Sequence, residues 1–211
     1  MNNRVHPISR YFASFVLASL AFIVFFAFAY GVSYLNYESI GSHTDLIASS
    51  VEQFENVLVN FSCDPAVHLE ASSRFDLIAS KLSLLEIRFG KTDERIIKVK
   101  MNYSDLEYRH FLITERFNRE CNSNFTPIFF FYSNKNGLLQ SKSERMGFIL
   151  TTFQRAHPNK VMIYSFDTDL NNTLIRDLKK MYGVDEVPAV SVNGKDAFVP
   201  QSIDELEAYL K

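Results

Sequence analysis

The sequence of 211 residues has no Trp, only two Cys, seven Gly and six Pro, and no block of basic residues. Two cysteines can form neither a disulfide scaffold nor a four-cysteine zinc site. The low content of Gly and Pro excludes a collagenous or low-complexity chain. A net charge of −2 without clustered Lys and Arg argues against nucleic-acid binding. The 47% hydrophobic content is enough for a globular core, and a chain of this length predicts one or two domains.

One long apolar run lies near the N-terminus. No charged side chain occurs from Tyr11 to Tyr37, and the centre of the run, from Phe15 to Leu35, is almost entirely apolar. A helix of about 20 apolar residues spans the hydrocarbon core of a membrane. A cleaved signal peptide has a shorter apolar region of about 7 to 15 residues, and a buried globular helix would need protein on every side. We therefore expect residues 11–37 to be a transmembrane signal anchor, with those two interpretations as alternatives.

The charges that flank this run predict its orientation. Arg4 and Arg10 precede it, and the first acidic residue is Glu38, so the positive-inside rule places residues 1–10 in the cytoplasm. Residues 38–211 would then lie outside the cytoplasm, as the soluble part of a single-pass protein of the cell membrane. Four N-x-S/T sequons agree weakly with export and would be acceptors only in a host that glycosylates exported proteins: Asn60, Asn102, Asn124 and Asn171.

Residues 38–124 have the apolar spacing of helices. One seam consists of Phe75, Ile78, Leu82, Leu85 and Phe89, and Gly90 interrupts the helical pattern directly after it. A second seam consists of Val99, Tyr103, Leu106, His110, Ile113 and Phe117. Two helices of roughly 22 to 28 residues joined by a short turn should pack antiparallel. An earlier helix, from about Thr44 to Val59, would connect this helical hairpin to the transmembrane segment.

The two cysteines flank the predicted hairpin. Cys63 lies just before its first helix and Cys121 just after its second, so antiparallel packing brings the thiols together. Oxidising conditions outside the cytoplasm favour a disulfide. We interpret this disulfide as structural, with a redox-active pair or two free thiols as alternatives.

The histidines predict neither a metal site nor a catalytic base. His110 lies on the second apolar seam with no nucleophile or metal cluster near it in the sequence, so we interpret it as a packed residue. His43, His68 and His157 do not have the spacing of metal ligands. We therefore expect no metal and no cofactor.

From residue 125 the pattern changes to alternating strands and helices. Buried strands are predicted at 127–132 and 161–166, with a helix at 143–156 between them and a second helix from Asn171 or Asn172 to Tyr182. A strand at 187–192, an Asn193-Gly194 hairpin turn and a strand at 195–199 follow. Ser202 and Glu205 form the capping box of a last helix. The predicted order is β-α-β-α-β-β-α.

This order, with the segment YGVDEVPAVSVNGK from Tyr182 to Lys195, resembles the thioredoxin fold. Pro188 matches the cis-proline that this family places at the start of its third core strand. The layout as a whole is similar to membrane-anchored thioredoxin-like proteins of prokaryotes, archaea in particular. The resemblance implies an α/β thioredoxin-like domain at 125–211, preceded by the helical hairpin segment at 38–124. It also implies that backbone beside Pro188 can pair with an extended substrate.

The redox motif of that family is missing. Its Cys-x-x-Cys follows the first strand, but residues 132–145 contain no cysteine. Aligned to the helix start, Gln140 and Ser143 stand where the two thiols would be, and neither can carry out dithiol exchange. A nucleophilic serine at Ser141 or Ser143 would need a base and an oxyanion hole, so we prefer a capping role for these hydroxyls.

The sequence thus predicts a redox-inactive, non-enzymatic protein-binding or chaperone-like module tethered to the membrane. Its groove would be formed by Val187, Pro188, Gln140 and Ser143 and would hold extended segments of exported proteins. One alternative is a thiol–disulfide oxidoreductase that uses Cys63 and Cys121, provided that they pack near Pro188. The other is a structural protein that assembles through its helical bundle. The sequence does not indicate an oligomeric state.

Overall fold

The computed structural model describes residues 7–135, 137–158 and 160–210, with the backbone alone for 7–9 and 36–44. Residues 1–6 of the expected cytoplasmic tail, including Arg4, lie outside this description, as does the side chain of His43. The described chain is mostly helical and contains a small mixed sheet of three strands. It divides into two compact units between Ser42 and His43.

The first helix, α1, runs from Pro7 to Val59. Its segment Arg10–Leu35 is 26 residues long and apolar enough to cross a membrane, although a signal sequence near the N-terminus would meet the same criterion. The large apolar side chains of this segment are exposed. The prediction of a long apolar N-terminal helix is confirmed. The helix expected from about Thr44 is the last part of α1 rather than a separate element.

Two helices form the predicted hairpin, α2 from Pro65 to Phe89 and α3 from Glu94 to Glu120. The carboxylate of Asp64 caps α2 by accepting the Ala66 N–H at 2.9 Å. Gly90 ends α2 with a φ of 92°, a conformation that L side chains rarely adopt. Asp93 then caps α3 by accepting the Arg95 N–H at 2.9 Å. Local capping chemistry therefore places the turn where the sequence predicted it.

The predicted apolar seams are buried inside the chain. On α2 the seam residues from Phe75 to Leu85 are buried and Phe89 is half-buried, and every seam residue of α3 is buried. The rings of Phe75 and Tyr103 stack across the hairpin with centroids 5.7 Å apart. Assembly through these seams would need them exposed, so the assembly alternative has no surface there.

Three strands form the sheet: β1, Thr126–Tyr132; β2, Val161–Asp167; and β3, Ala189–Val192. They lie in the order β2-β1-β3, with β2 parallel and β3 antiparallel to the central β1. Three helices accompany them: α4, Gly137–Ala156; α5, Thr173–Met181; and α6, Ile203–Glu207. The side chains of α4 pack on one face of the sheet in a core that includes Ile128, Phe130, Leu150 and Phe153.

The hairpin packs against β2 and the other face of the sheet. The ring of Phe111 on α3 meets that of Phe129 edge to face, with centroids 4.6 Å apart. Glu107 of α3 accepts the backbone N–H of Ser165 in β2 at 2.7 Å. The helical and α/β segments thus share one compact unit, His43–Lys211.

The strand expected at 195–199 is reduced to a single bridge between Val190 and Phe198. The Asn193-Gly194 turn forms as predicted, with φ values of 54° and 71°. After it, the Ala197 N–H donates to the Tyr182 carbonyl rather than to a strand, at 2.8 Å. Pro200 has no N–H with which to extend the pairing beyond the bridge.

The capping box expected at the last helix is also not formed as predicted. Ser202 occupies the N-cap position of α6 but makes no side-chain capping bond. The Glu205 carboxylate instead accepts the Gln201 N–H at 3.0 Å, one residue before the cap. The glutamate still satisfies a backbone donor at the start of the helix, but without the reciprocal serine bond.

Candidate functional site

A surface cavity of about 300 Å³ lies beside Pro188, just before β3. Pro188 is buried, Val187 is half-buried, and the peptide bond that joins them is cis. Both line the cavity, as do Met146 and Ile149 of α4 and Val199 and Pro200 after β3. Two exposed cations of α4, Lys142 and Arg145, also line it. The cavity can therefore receive an apolar side chain beside an acidic group.

Gln140 and Ser143, the other two residues of the predicted groove, lie elsewhere. Ser143 is only 4% exposed, and its Oγ accepts the N–H of Ser133 at 3.2 Å. The amide of Gln140 donates to the carboxylate of Glu144 at 3.0 Å. Neither lines the cavity beside Pro188 among the residues that the structure describes.

This difference follows from where α4 begins. The helix begins at Gly137 rather than near Ser143, so Ser143 is in its second turn and faces the sheet. The hydroxyl of Ser141 donates to the Gly137 carbonyl at 2.7 Å, so neither serine has the predicted capping role. Helical spacing places Lys142 and Arg145 one turn before Met146 and Ile149. This spacing is visible in the sequence and could have indicated that the two cations lie beside the cavity.

The loop after β1, where the resemblance would place a redox motif, is held by Asp169. Its carboxylate accepts the Ser133 hydroxyl at 2.9 Å and the Asn134 N–H at 2.7 Å. The Ser133 Oγ also accepts the N–H of Lys135 at 3.2 Å. These contacts use the polar groups of the loop for structure, and no base is hydrogen-bonded to the hydroxyls of Ser141 or Ser143 among the described residues.

The predicted disulfide between Cys63 and Cys121 is present. It lies near the beginning of the sheet, because Met162, which pairs with Pro127 at the start of β1, lines the same cavity as both cysteines. Pro188 lies at the other end, since the adjacent Ala189 pairs with Phe131. At about 3.3 Å per residue, Pro127 and Phe131, which are four residues apart on β1, are separated by about 13 Å. The condition for the oxidoreductase alternative, cysteines close to Pro188, is therefore not met.

A polar network lies inside the hairpin near the disulfide. His110 is fully buried, with Nε2 3.1 Å from the Ser72 hydroxyl and Nδ1 3.0 Å from the Tyr164 hydroxyl. His68 lies 3.3 Å from the Thr114 hydroxyl. The interpretation of His110 as a packed residue is confirmed, because both of its ring nitrogens are used within the core.

We expect acid to destabilise the protein through His68 and His110. Burial lowers the pKa of His68 to about 4 and that of His110 to about 3, whereas an unfolded histidine titrates near 6.5. Between about pH 6.5 and pH 4 the unfolded chain therefore binds more protons than the folded chain. The contribution of these histidines to the free energy of unfolding should therefore decrease as the pH is lowered through this window, by up to about 1.4 kcal/mol per pH unit for each histidine.

Urea denaturation of the full chain at several pH values measures this slope. His110→Asn should reduce this slope by up to about 1.4 kcal/mol per pH unit, whatever the variant does to absolute stability. A slope that is the same in the parent and in His110→Asn would contradict the assignment.

The remaining site candidates are placed as follows. The four sequon asparagines, Asn60, Asn102, Asn124 and Asn171, are all exposed. Within residues 7–135, 137–158 and 160–210, no three side chains of His, Cys, Asp or Glu are grouped so that they could hold a metal ion.

Comparison of the sequence with protein-family models and with curated proteins gives no match to either. What the chain binds must therefore be inferred from its own residues.

Proposed function

We propose that this protein is a membrane-anchored, non-enzymatic binding domain that holds extended segments of exported proteins beside Pro188. The observation that carries the proposal is that the cavity beside Pro188 lies next to backbone that is not paired within the sheet. β3 begins at Ala189, which pairs with Phe131, so residues 186–188 lie outside the paired part of the strand. Extended segments bind proteins by adding to such backbone while a neighbouring pocket takes one of their side chains.

Thioredoxin-like architecture is part of this proposal. It is supported by the order of strands and helices after residue 125, by the parallel β1–β2 and antiparallel β1–β3 pairs, and by the position of Pro188 just before β3. The reduction of the fourth strand to one bridge is a departure from the expected pattern.

A binding role is favoured over dithiol chemistry by the position of the cysteines. Both are joined in one disulfide at the far end of β1, and the loop after β1 contains none. Thiol–disulfide exchange requires a thiolate nucleophile. The groove beside Pro188 can therefore hold a segment but has no thiol with which to oxidise or reduce it.

The membrane anchor would place this groove outside the cytoplasm. The support is the apolar segment Arg10–Leu35, which begins with a basic residue and has no acidic residue within it.

The charge around the cavity favours an acidic segment as the ligand. Lys142 and Arg145 line it together with one acid, Glu186, so one positive charge is in excess. A carboxylate on the bound segment could pair bidentately with Arg145. The apolar surface of Met146 and Ile149 would receive a neighbouring aliphatic or aromatic side chain.

Pro188→Ala is expected to weaken binding of an extended segment more than it destabilises the domain, because the proline ring lines the cavity. With the full chain in lipid nanodiscs and a fluorescent, acidic, extended peptide as the probe, we expect affinity to fall about tenfold, or about 1.4 kcal/mol. The matched control is Pro158→Ala, which alters an exposed turn after α4. Equal affinity of the parent and Pro188→Ala would reject the groove.

A further inference from the structure

A buried ion cluster lies between the hairpin and the sheet. It borders a second cavity, which shares no lining residue with the cavity beside Pro188. Lys100 of α3 is 3% exposed. Its Nζ pairs with Asp167 of β2 and, at 3.1 Å, with Glu86 of α2. Two carboxylates thus surround one ammonium group, and this part of the protein carries an excess negative charge.

Glu107 adds a carboxyl group that this cluster does not satisfy. It is 1% exposed, and its Oε1 accepts the Ser165 N–H at 2.7 Å. Its Oε2 is buried and has no hydrogen-bond partner among the described residues. A buried polar atom without a partner is costly, and such atoms are rare in folded proteins. A ligand group that donates a hydrogen bond would remove this cost.

A cavity of about 290 Å³ is bounded by Glu107 and by the ion cluster. Asp76 of α2 also lines it and is exposed to solvent, and it forms no ion pair within the described part of the chain. The rest of the lining includes the aromatic side chains of Phe75, Tyr103, Phe130 and Tyr132. The volume is near the lower limit for pockets that hold small organic ligands.

These observations define the chemistry of a ligand. Asp76 and Glu107 form no ion pair among the residues that the structure describes. A positively charged group that donates hydrogen bonds could pair with both of them. The aromatic side chains attract a cation and provide apolar surface for a body attached to it. We propose that this cavity binds a small primary amine, whose ammonium group pairs with Asp76 and Glu107 and whose apolar body lies against the aromatic lining.

Binding should release a proton from Glu107. Burial raises the pKa of Glu107 well above its usual range, although the Ser165 N–H and Lys100 oppose this shift. Burial therefore favours the protonated form of this carboxyl group when no ammonium group is beside it. When an ammonium group arrives, the Glu107 proton passes to the buffer, and the carboxylate pairs with the ammonium.

Other titratable groups line the same cavity and contribute to the charge that the amine meets: Asp76 and Glu86 of α2, Lys100 and Tyr103 of α3, Tyr132 of β1 and Asp167 of β2. The residues of α4 that line it are not titratable. Among the titratable groups, only Lys100 is cationic, and two carboxylates already neutralise it.

The test uses the full chain in nanodiscs and titration calorimetry with phenethylamine as the probe. Its neutral analogue 2-phenylethanol is the ligand control. Asp76→Asn and Glu107→Gln should each weaken phenethylamine binding about tenfold or more. Binding should also release a proton to the buffer in the parent but not in Glu107→Gln. The glutamine retains an oxygen that can accept the Ser165 N–H, so this variant should fold. Asp105→Asn removes an exposed carboxylate from the same helix and serves as the matched control.

The same ammonium chemistry could come from a free amine or from a lysine side chain of another protein, so a lysine-containing peptide forms a second arm. Binding of phenethylamine supports the proposal with a free amine as the ligand. Binding of the peptide alone, lost in Asp76→Asn, supports it with a lysine side chain as the ligand. Binding of neither, equal binding of 2-phenylethanol, or an equal loss in Asp105→Asn would overturn it.

Discussion

Lys100→Met is expected to lower the free energy of unfolding by about 3 to 5 kcal/mol, because it leaves a buried charge without its partner. Asp167 is only 4% exposed, and the ammonium group of Lys100 is its one cationic partner within the described residues. The remaining contacts of Asp167 are neutral: the Asn134 amide donates to it at 2.9 Å and the Asp169 N–H at 3.0 Å. Neutral donors do not replace a missing charge in a buried site.

Chemical denaturation of the full chain, followed by the circular dichroism of its tyrosines, measures this loss. Lys98→Met changes an exposed lysine of the same helix and should alter stability by less than about 0.5 kcal/mol. Adding Asp167→Asn to Lys100→Met removes the stranded charge and should restore part of the stability. If Lys100→Met is as stable as Lys98→Met, the cluster is not a buried charge network.

Loss of the disulfide is the second large effect that we expect. The bond joins residues 58 positions apart in sequence, and the chain-entropy model gives about 4 kcal/mol for closing a loop of that length. The bond also holds the start of α2 to the C-cap of α3, and so fixes the open end of the hairpin.

The double variant Cys63→Ser, Cys121→Ser should unfold at correspondingly lower denaturant concentration, and dithiothreitol should bring the parent to the same value. The double variant itself should not respond to the reductant, which provides the internal control. A structural bond should also stay oxidised in glutathione buffers. Rapid exchange with glutathione, or equal stability of the parent and the double variant, would contradict a structural role.

Much of the helical part could be predicted from the sequence because its determinants are local. The apolar seams, the capping residues Asp64 and Asp93, and the break at Gly90 all lie within a few residues of what they determine. The disulfide followed from the hairpin, since antiparallel helices bring Cys63 and Cys121 together.

The start of α4 was missed for the opposite reason. Its first turn contains Gly137, a poor helix former, and the packing of Ser143 beneath Ser133 is a contact that sequence spacing does not reveal. The predicted start was six residues too late. This error placed Ser143 in the predicted groove and left Lys142 and Arg145 out of it.

The buried ion cluster could not be predicted because polar residues spaced along a helix usually face solvent. Lys100, Ser104 and Glu107 each follow a residue of the α3 seam by one position, and alone they indicate a hydrated face. Their burial depends on Asp167 and Ser165, which arrive from a strand far along the chain. Only the tertiary fold shows that α3 is covered on two sides.

The bond from the Ser165 N–H to Glu107 has a consequence for folding in a crowded compartment. β2 is an outer strand of the sheet, and the free amide and carbonyl groups of such a strand are a template on which a second molecule can add its own strand. Glu107 occupies one of these donors, and α3 covers the strand around it. The hairpin therefore protects the edge of β2 from pairing with another molecule. Without the hairpin, the α/β segment would expose the free backbone groups of this strand and would be prone to self-association.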